Sequence, residues 1–247
     1  MGYKTDLGDP FAQLTQNDRH NPRRRLRLHD FPMWNNMTEA DMERLLKVVT
    51  VRGYKRGDLL FDPSYEPDKM YLLQIGRVKT YVLTQDGRKK IMHIFSPGDA
   101  FGGLLLGTVD GQLPWAEAME DVIICSMDEL NFRSFMLSCP NMCLDLFRYI
   151  SQIHVEAMRR LQGMIHTRAD QRVVIALLDM GRRLGYDDQD EFTIYPYFTH
   201  EDIADMIGVV RTTVSEIISK LSKQGIVTRK GRQLHIHRAE AEAYLGK

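Results

Sequence analysis

The 247-residue sequence has no net charge, no long apolar run and few cysteines, and each absence excludes a class of protein. Lysine plus arginine and aspartate plus glutamate total 33 each, so the overall charge gives no indication of a nucleic-acid partner. No segment approaches the roughly 20 apolar residues of a membrane span, and the first thirty residues contain no apolar signal-peptide core. We therefore expect a cytoplasmic protein that does not interact with membranes.

The cysteines also exclude a class of protein. Cys125, Cys139 and Cys143 are too few and too unevenly spaced for a disulfide framework. Hydrophobic residues make up 43% of the chain and charged residues 27%, which is typical of a globular protein with enough apolar material for its cores. At this length we expect two domains of moderate size.

Charge is unevenly distributed along the chain. Residues 185–205 contain seven acidic residues and no Lys or Arg, whereas residues 206–238 contain seven basic residues and a single acidic one, Glu216. The later segment therefore has a basic surface that the neutral total hides. Another basic cluster, RRRLR at 23–27, lies in a polar N-terminal stretch, and we interpret residues 1–30 as a flexible tail.

The apolar period changes along the chain. Residues 38–49 are predicted to form a short helix, because Thr38 and Asp41 have the spacing of a capping pair and apolar residues follow at helical intervals. From about residue 50 to residue 130 the sequence consists of short β-rich runs separated by Gly and Pro. Many short strands at such spacing favour a small antiparallel roll or barrel.

A long helix with two apolar stripes is predicted after Pro140. One stripe follows the alternating spacings of four and three that are typical of a coiled coil: Phe147, Ser151, His154, Met158, Leu161 and Ile165. The adjacent stripe comprises Leu146, Ile150, Ile153, Ala157 and Met164. Two stripes need two partners, so we expect one to pack on the roll and the other on the same helix of a second chain. A single helix buried inside one domain is the alternative.

The segment HEDIADMIGVVRTTVSEIISKL, residues 200–221, has the spacing of a helix-turn-helix. Thr199 is placed to cap the first helix, and Ala204 allows the two helices to approach closely. Gly208 tolerates the left-handed conformation that the turn requires. The second helix is then predicted to bury Val214, Ile217, Ile218 and Leu221.

The other face of that second helix is polar, and a hairpin with a basic tip follows it, which together predict a winged helix-turn-helix. Short and forked polar side chains on such a face reach base edges in a major groove, while lysines such as Lys220 and Lys223 reach phosphates. The predicted DNA-binding residues are Arg211, Thr212, Thr213, Ser215, Glu216, Lys230 and Arg232.

With these motifs the sequence resembles the cyclic-AMP receptor protein/FNR superfamily of bacterial transcription regulators. The resemblance covers about residues 38–240 and is carried by GRVKTYVLTQDGRKKIMHIFSPGDAFG, MRRLQ, RVVIALLDM and the helix-turn-helix segment. It implies an α+β fold: an effector-sensing antiparallel β-roll of the cupin-like jelly-roll type at 31–138, a dimerisation helix at 139–168, and a winged helix-turn-helix at 169–247.

The resemblance also implies partners. A homodimer is expected to bind a pseudo-palindromic operator in double-stranded DNA under the control of a small-molecule effector, with RNA polymerase as a further partner if the protein is an activator. The effector pocket is expected between the roll and the long helix, at Gly103, Leu104, Gln112, Leu113, Trp115, His154 and Met158.

Departures from the family pattern restrict the effector. Gly103 stands where cyclic-AMP binders have Glu, and Gln112 and Leu113 stand where they have an Arg-Ser pair, so no guanidinium is offered to a cyclic phosphate and cyclic AMP is not expected. No cysteine precedes Cys125, so the iron–sulfur cluster of the oxygen-sensing branch is not expected either. A haem-based gas or redox sensor, with His93 or His154 as iron ligand, is the alternative within the family.

The second helix of the predicted helix-turn-helix, which we call the reading helix, also departs from the family pattern. Many family members have Glu where Thr212 stands and a guanine-reading Arg where Glu216 stands, so the usual half-site is not carried over to this chain. Arg211 remains able to contact guanine through two hydrogen bonds.

Two readings from other classes compete with DNA binding. A cupin-type metalloenzyme needs several clustered His and carboxylate ligands, whereas the roll segment has only His93, and no nucleophile–base pair or phosphate loop stands out elsewhere. We therefore expect no catalytic residue and no metal site. The other reading is a signalling protein whose helix-turn-helix contacts proteins, for which DNA binding would be absent or independent of salt.

Overall fold

The computed structural model describes residues 31, 37–62, 68–106, 114–139, 141–165, 168–187, 190–194, 198–231 and 233–246. The tail predicted at 1–30 lies outside these residues. Within them, no helix has both the length and the apolar character needed to cross a membrane. The chain divides into two compact units, one of residues 1–82 and 92–154 and the other of residues 83–91 and 155–247.

The first unit begins with the short helix expected from the sequence, α1 (Glu39–Val48). Thr38 Oγ1 accepts a hydrogen bond from Asp41 N at 3.2 Å, and Thr38 N donates to the Asp41 carboxylate at 3.2 Å. This reciprocal capping box satisfies two backbone N–H groups that the helix itself cannot pair. The capping prediction is confirmed.

Eight strands follow and form two antiparallel four-stranded sheets. In one sheet the order is β1-β8-β3-β6, and in the other it is β2-β7-β4-β5. The strands are β1 (Thr50–Tyr54), β2 (Leu59–Phe61), β3 (Lys69–Ile75), β4 (Val78–Leu83), β5 (Lys89–Phe95), β6 (Ala100–Phe101), β7 (Trp115–Ala118) and β8 (Val122–Asp128).

An apolar core is shared by the two sheets. Phe61, Tyr71, Phe95 and Phe101 are all nearly fully buried, and the rings of Phe61 and Tyr71 stack at 5.3 Å while those of Phe95 and Phe101 stack at 4.7 Å. Because β-strand side chains alternate between faces, Tyr71 and Leu73 point into this core and Met70 and Leu72 point to the opposite face of the same sheet. The antiparallel roll predicted for about 50–130 is confirmed.

Helices cover the second face of the β1-β8-β3-β6 sheet. They are α1, α2 (Gly103–Leu106), α3 (Glu129–Ser138) and the first half of α4 (Asn141–Ile165). Leu45, Phe135 and Tyr149 pack there against the outward residues of the sheet. Leu146 and Ile153, two residues of the second predicted stripe, also contact this cluster, whereas Ile150 of the same stripe is exposed.

The second unit combines a helical layer with a small sheet of order β11-β12-β10-β9. Its first helix lies close to the sheet at Gly181, because glycine has no Cβ there. A Cβ at this position would come within 2.5 Å of the Phe192 ring. The elements are α5 (Ala169–Leu184), β9 (Gly185–Asp187), β10 (Glu191–Ile194), α6 (His200–Ile207), α7 (Arg211–Lys223), β11 (Val227–Lys230), β12 (Gln233–His237) and α8 (Arg238–Leu245). The α+β fold with a roll, a long helix and a winged helix-turn-helix is thus confirmed.

Candidate nucleic-acid interface

The helix-turn-helix is formed by α6 and α7. The first helix begins with a second capping box, in which Asp202 N donates to Thr199 Oγ1 and Thr199 N donates to the Asp202 carboxylate, both at 3.1 Å. It ends at Gly208, whose φ of 70° is in the left-handed region and whose N–H donates to Ala204 O at 2.9 Å. Both signals read from the sequence therefore mark the bounds of α6 correctly.

An apolar seam joins the two helices. Ala204, only 1% exposed, lies between Ile203 and Ile207 on α6, and α7 contributes Val214 and other buried residues. A larger side chain at 204 would separate the helices, which is why a small residue suits this position. The buried side chains of α7 are Val214, Ile217 and Leu221, and Ile218 is half-buried.

The predicted reading residues differ in exposure. Arg211, Thr212 and Glu216 are exposed on α7, whereas Thr213 and Ser215 are half-buried. A groove of about 670 Å³ follows this surface and is lined by Ser215, Glu216, Ser219, Lys220, Lys223 and Gln224. Exposure is a condition for reaching base edges, and Arg211, Thr212 and Glu216 meet it.

Ser215 is held within the protein. Its Oγ donates to Arg211 O at 3.0 Å and lies 2.8 Å from Nδ1 of His200, on the preceding helix. Because a hydroxyl has one proton and this one is directed to Arg211 O, His200 Nδ1 is the donor of the second bond. Ser215 therefore joins the two helices of the motif, in addition to the reading role predicted for it.

His200 was not singled out from the sequence. Burial lowers its pKa, and the positive charges of Arg211 and Arg229 lower it further. Arg229 lies on the wing, so the first helix, the reading helix and the wing all place basic groups close enough to influence one another. A phosphate contacting this region would neutralise that repulsion.

The wing is the antiparallel hairpin of β11 and β12, in which Lys230 is opposite Gln233. Lys230 is exposed, and Arg229 Nε donates to Gly231 O at 3.2 Å. Arg232, the remaining predicted DNA contact, lies outside the described residues. The predicted wing is present, with Arg229 and Lys230 near its tip.

The predicted effector residues occupy several places. Gly103 and Leu104 are half-buried on α2, and Leu104 packs against the helical cluster on the roll. Trp115 lies on β7, where its ring stacks on Tyr81 at 6.2 Å. His154 and Met158 are exposed on α4. Gln112 and Leu113 lie outside the described residues, and a pocket formed by this set stays a prediction.

Histidine, cysteine and carboxylate side chains are the groups from which a metal site would be built. Within the described ranges, no three His, Cys, Asp or Glu residues are grouped as a metal ion would require. The His93 ring, one of the two alternative haem ligands, packs on Phe95 with a centroid distance of 4.4 Å.

Two protein-family models match the chain. The model of the cyclic nucleotide-binding domain matches residues 51–139, and the model of the Crp-like helix-turn-helix domain matches residues 171–241. The chain belongs to the CRP/FNR superfamily. It is therefore a DNA-binding transcriptional regulator, with a cyclic-nucleotide-binding-type roll in its first half and a helix-turn-helix in its second.

Relatives in this superfamily are similar over most of their length. The CRP-like cAMP-activated global transcriptional regulator of Mycobacterium tuberculosis is 26% identical over 196 residues, which are 79% of this chain and 88% of that protein. The fumarate and nitrate reduction regulatory protein of Salmonella typhimurium is 21% identical over 211 residues, 85% of this chain and 84% of that protein. Both are transcriptional regulators rather than enzymes.

A solved structure has the same fold. FixK2 from Bradyrhizobium japonicum superposes with a TM-score of 0.67 at 24% identity, covering 80% of this chain and 97% of FixK2. The superposition agrees with the roll and the helix-turn-helix described above.

Proposed function

We propose that this CRP/FNR regulator acts as a homodimer and binds a pseudo-palindromic operator through α7 of each protomer, under the control of a small effector. The observation that carries the proposal is the apolar surface of α4. Leu144 and Phe147 are 63% and 71% exposed, and Ile150, Val155 and Met158 are exposed as well. A single chain leaves this surface in water at a cost of about 25 cal/mol per Å².

The spacing along α4 supports a helical partner. Leu144, Phe147, Ser151, His154 and Met158 are separated by alternating three and four residues, the repeat with which two helices interlock side chains. The opposite side of the same helix is already covered, because Met142 and Tyr149 are buried against the roll. A second copy of α4 would cover the exposed stripe and give the dimer two reading helices, one for each half of an operator.

Sedimentation of the purified protein tests the dimer. We expect a dimer at micromolar concentration, and Phe147→Glu should shift it to monomer because the stripe would then place a charge in an apolar interface. Gln152→Glu, an exposed position of the same helix off this stripe, is the matched control and should remain dimeric. A wild-type protein that sediments as a monomer would falsify the dimer.

Reading of the operator is assigned to the exposed residues of α7 and the wing. We assign a bidentate guanine contact to Arg211, acceptance from a cytosine amino group to Glu216 and a phosphate contact to Lys230, all of which are exposed. Selection of bound duplexes from a random pool tests this assignment. We expect two inverted half-sites, and recovery of an asymmetric or random pool would contradict it.

Effector control is proposed for the region between the roll and α4. Gly103 contributes no carboxylate, and Gln112 and Leu113 contribute no guanidinium, so the effector is not expected to be cyclic AMP. Half-buried Leu104 and Leu105 at the apolar cluster favour an effector with an apolar part. Running the selection with and without cell extract, and with cyclic AMP added to purified protein, distinguishes these cases. Stimulation by cyclic AMP alone would contradict the assignment.

A further inference from the structure

One carboxylate in the second unit accepts hydrogen bonds from the side chains of two other helices and of the residue just before its own helix. Asp170 lies in the first turn of α5, and Arg168 precedes that helix. Tyr244 Oη donates to Asp170 Oδ2 at 2.8 Å, Arg168 Nη2 donates to the same oxygen at 2.9 Å, and Lys220 Nζ of the reading helix donates to it at 3.4 Å.

Lys220 has a second partner in the same group. Its Nζ donates to Tyr244 Oη at 3.1 Å and lies 5.6 Å from the centroid of the Tyr244 ring. The hydrogen bonds that Lys220 donates to Tyr244 and Asp170 raise the pKa of Lys220, so its ammonium remains charged. The sequence suggested phosphate binding for Lys220, but in the structure this ammonium contacts α5 and α8.

We propose that Asp170, through Lys220 and Tyr244, is a positioning residue for DNA reading that holds the carboxyl end of α7 in place. Ser215 lies in the first half of α7, where His200 of α6 binds it. Lys220 lies in the last turn. The reading helix is thus tied at both ends by polar contacts to neighbouring helices, and Arg211, Thr212 and Glu216 are oriented by the two ties.

The chemistry of the cluster suits orientation better than phosphate binding. The Asp170 carboxylate is 14% exposed and accepts several hydrogen bonds, whereas the Lys220 side chain is 52% exposed. An exposed ion pair by itself contributes little to stability. A largely buried carboxylate with charged and hydroxyl donors fixes the geometry of all of them, because each donor must meet the same two oxygens.

Positioning and phosphate binding predict different effects on DNA affinity. Losing orientation weakens base contacts and therefore the affinity for the selected operator, but it leaves the attraction to an unrelated duplex unchanged. Losing a phosphate contact weakens binding to both duplexes to the same extent and reduces the slope of log K against log salt by roughly 0.9. Affinity for the selected operator and for a scrambled duplex, each measured over a range of salt, separates the two.

The full-length protein carries the test variants. Lys220→Met is expected to weaken operator binding about threefold to tenfold, with scrambled-duplex affinity and the salt slope unchanged. Lys220→Arg keeps a cation beside Asp170 and should retain most of the wild-type ratio of operator affinity to scrambled-duplex affinity. Lys223→Met is the matched control for a phosphate contact, because Lys223 lies three residues further along the same groove. It should weaken binding to both duplexes. The proposal is overturned if Lys220→Met weakens the affinity for the operator and for the scrambled duplex equally, or if it changes neither affinity.

Tyr244→Phe is a second, milder variant that is expected to fold, because it removes a single hydroxyl. It should change the operator-to-scrambled ratio in the same direction as Lys220→Met. Hydrogen exchange adds a readout without DNA: the amides of 217–223 should exchange faster in Tyr244→Phe, while those of α6 stay as in the wild type. Unchanged exchange at the end of α7 would also overturn the proposal.

Discussion

The hydroxyl of Tyr149 allows a sharp test of how α4 is held on the roll. It accepts a hydrogen bond from Ala100 N at 2.7 Å and donates one to Ala100 O at 2.9 Å. Tyr149 is 6% exposed and Ala100 is fully buried, so water has little access to either group. Ala100 lies on β6, an edge strand, and the tyrosine therefore satisfies both of its backbone groups.

Tyr149→Phe keeps the ring and removes only this hydroxyl. A buried donor and a buried acceptor are then left unpaired, at about 1–3 kcal/mol each, and partial relaxation leads us to expect a loss of about 2–4 kcal/mol in the free energy of unfolding. That is a large share of the roughly 5–15 kcal/mol stability of an ordinary domain. No cavity contribution enters, because the ring is retained.

Denaturant unfolding followed by tryptophan fluorescence measures this loss. Both tryptophans of the sequence, at 34 and 115, precede the long helix, and Trp115 lies in the roll itself. Gln152→Ala is the matched control: it removes a polar group from an exposed position of the same helix, off the apolar stripe, and should change stability by less than about 0.5 kcal/mol. A Tyr149→Phe effect as small as that of the control would refute the reasoning.

Four further predictions concern the second unit. Arg211→Ala should cost roughly 1–3 kcal/mol of operator affinity and relax one base position, and equal weakening on every duplex would reduce Arg211 to a phosphate contact. Gly208→Ala should lose about 1–2 kcal/mol of stability from its left-handed backbone alone, because a Cβ there meets no atom within 4 Å. Ala204→Leu should lose about 1–3 kcal/mol by overpacking the seam, and a neutral effect would show that α6 and α7 can separate. Hydrogen bonds from Arg168, and then from Tyr244, hold the pKa of Asp170 below its unfolded value. The contribution of Asp170 to the free energy of unfolding is therefore present above about pH 4 and is lost as the pH falls further. Asp170→Asn should reduce this loss of stability at low pH in a pH series of unfolding curves.

Much of the helix-turn-helix could be predicted because its signals are local. A threonine with an acidic residue three positions later, a small residue, and a glycine four residues after it each act on backbone within one or two turns. The wing could be predicted for the same reason, since a glycine between two alternating runs defines a hairpin. The roll required only the count and spacing of short strands.

The residues missed by the sequence argument lie far apart in the chain. His200 and Ser215 are 15 residues apart, Tyr149 and Ala100 are 49 apart, and Asp170 is 74 residues from Tyr244. None of these pairs has a fixed spacing or a characteristic neighbour, so a single sequence contains no sign of the pairing. Lys220 illustrates the consequence, because a lysine on a polar helix face looks like a phosphate contact until its carboxylate partner is seen.

The sequence by itself determined the order of the elements, the turn of the reading motif and the class of the protein, because capping, helical periodicity and glycine conformation depend on residues a few positions apart. The tertiary structure decided which polar groups are used inside the fold and which remain for DNA. That division depends on which helices and strands lie side by side, and packing of a whole core determines it rather than any short segment.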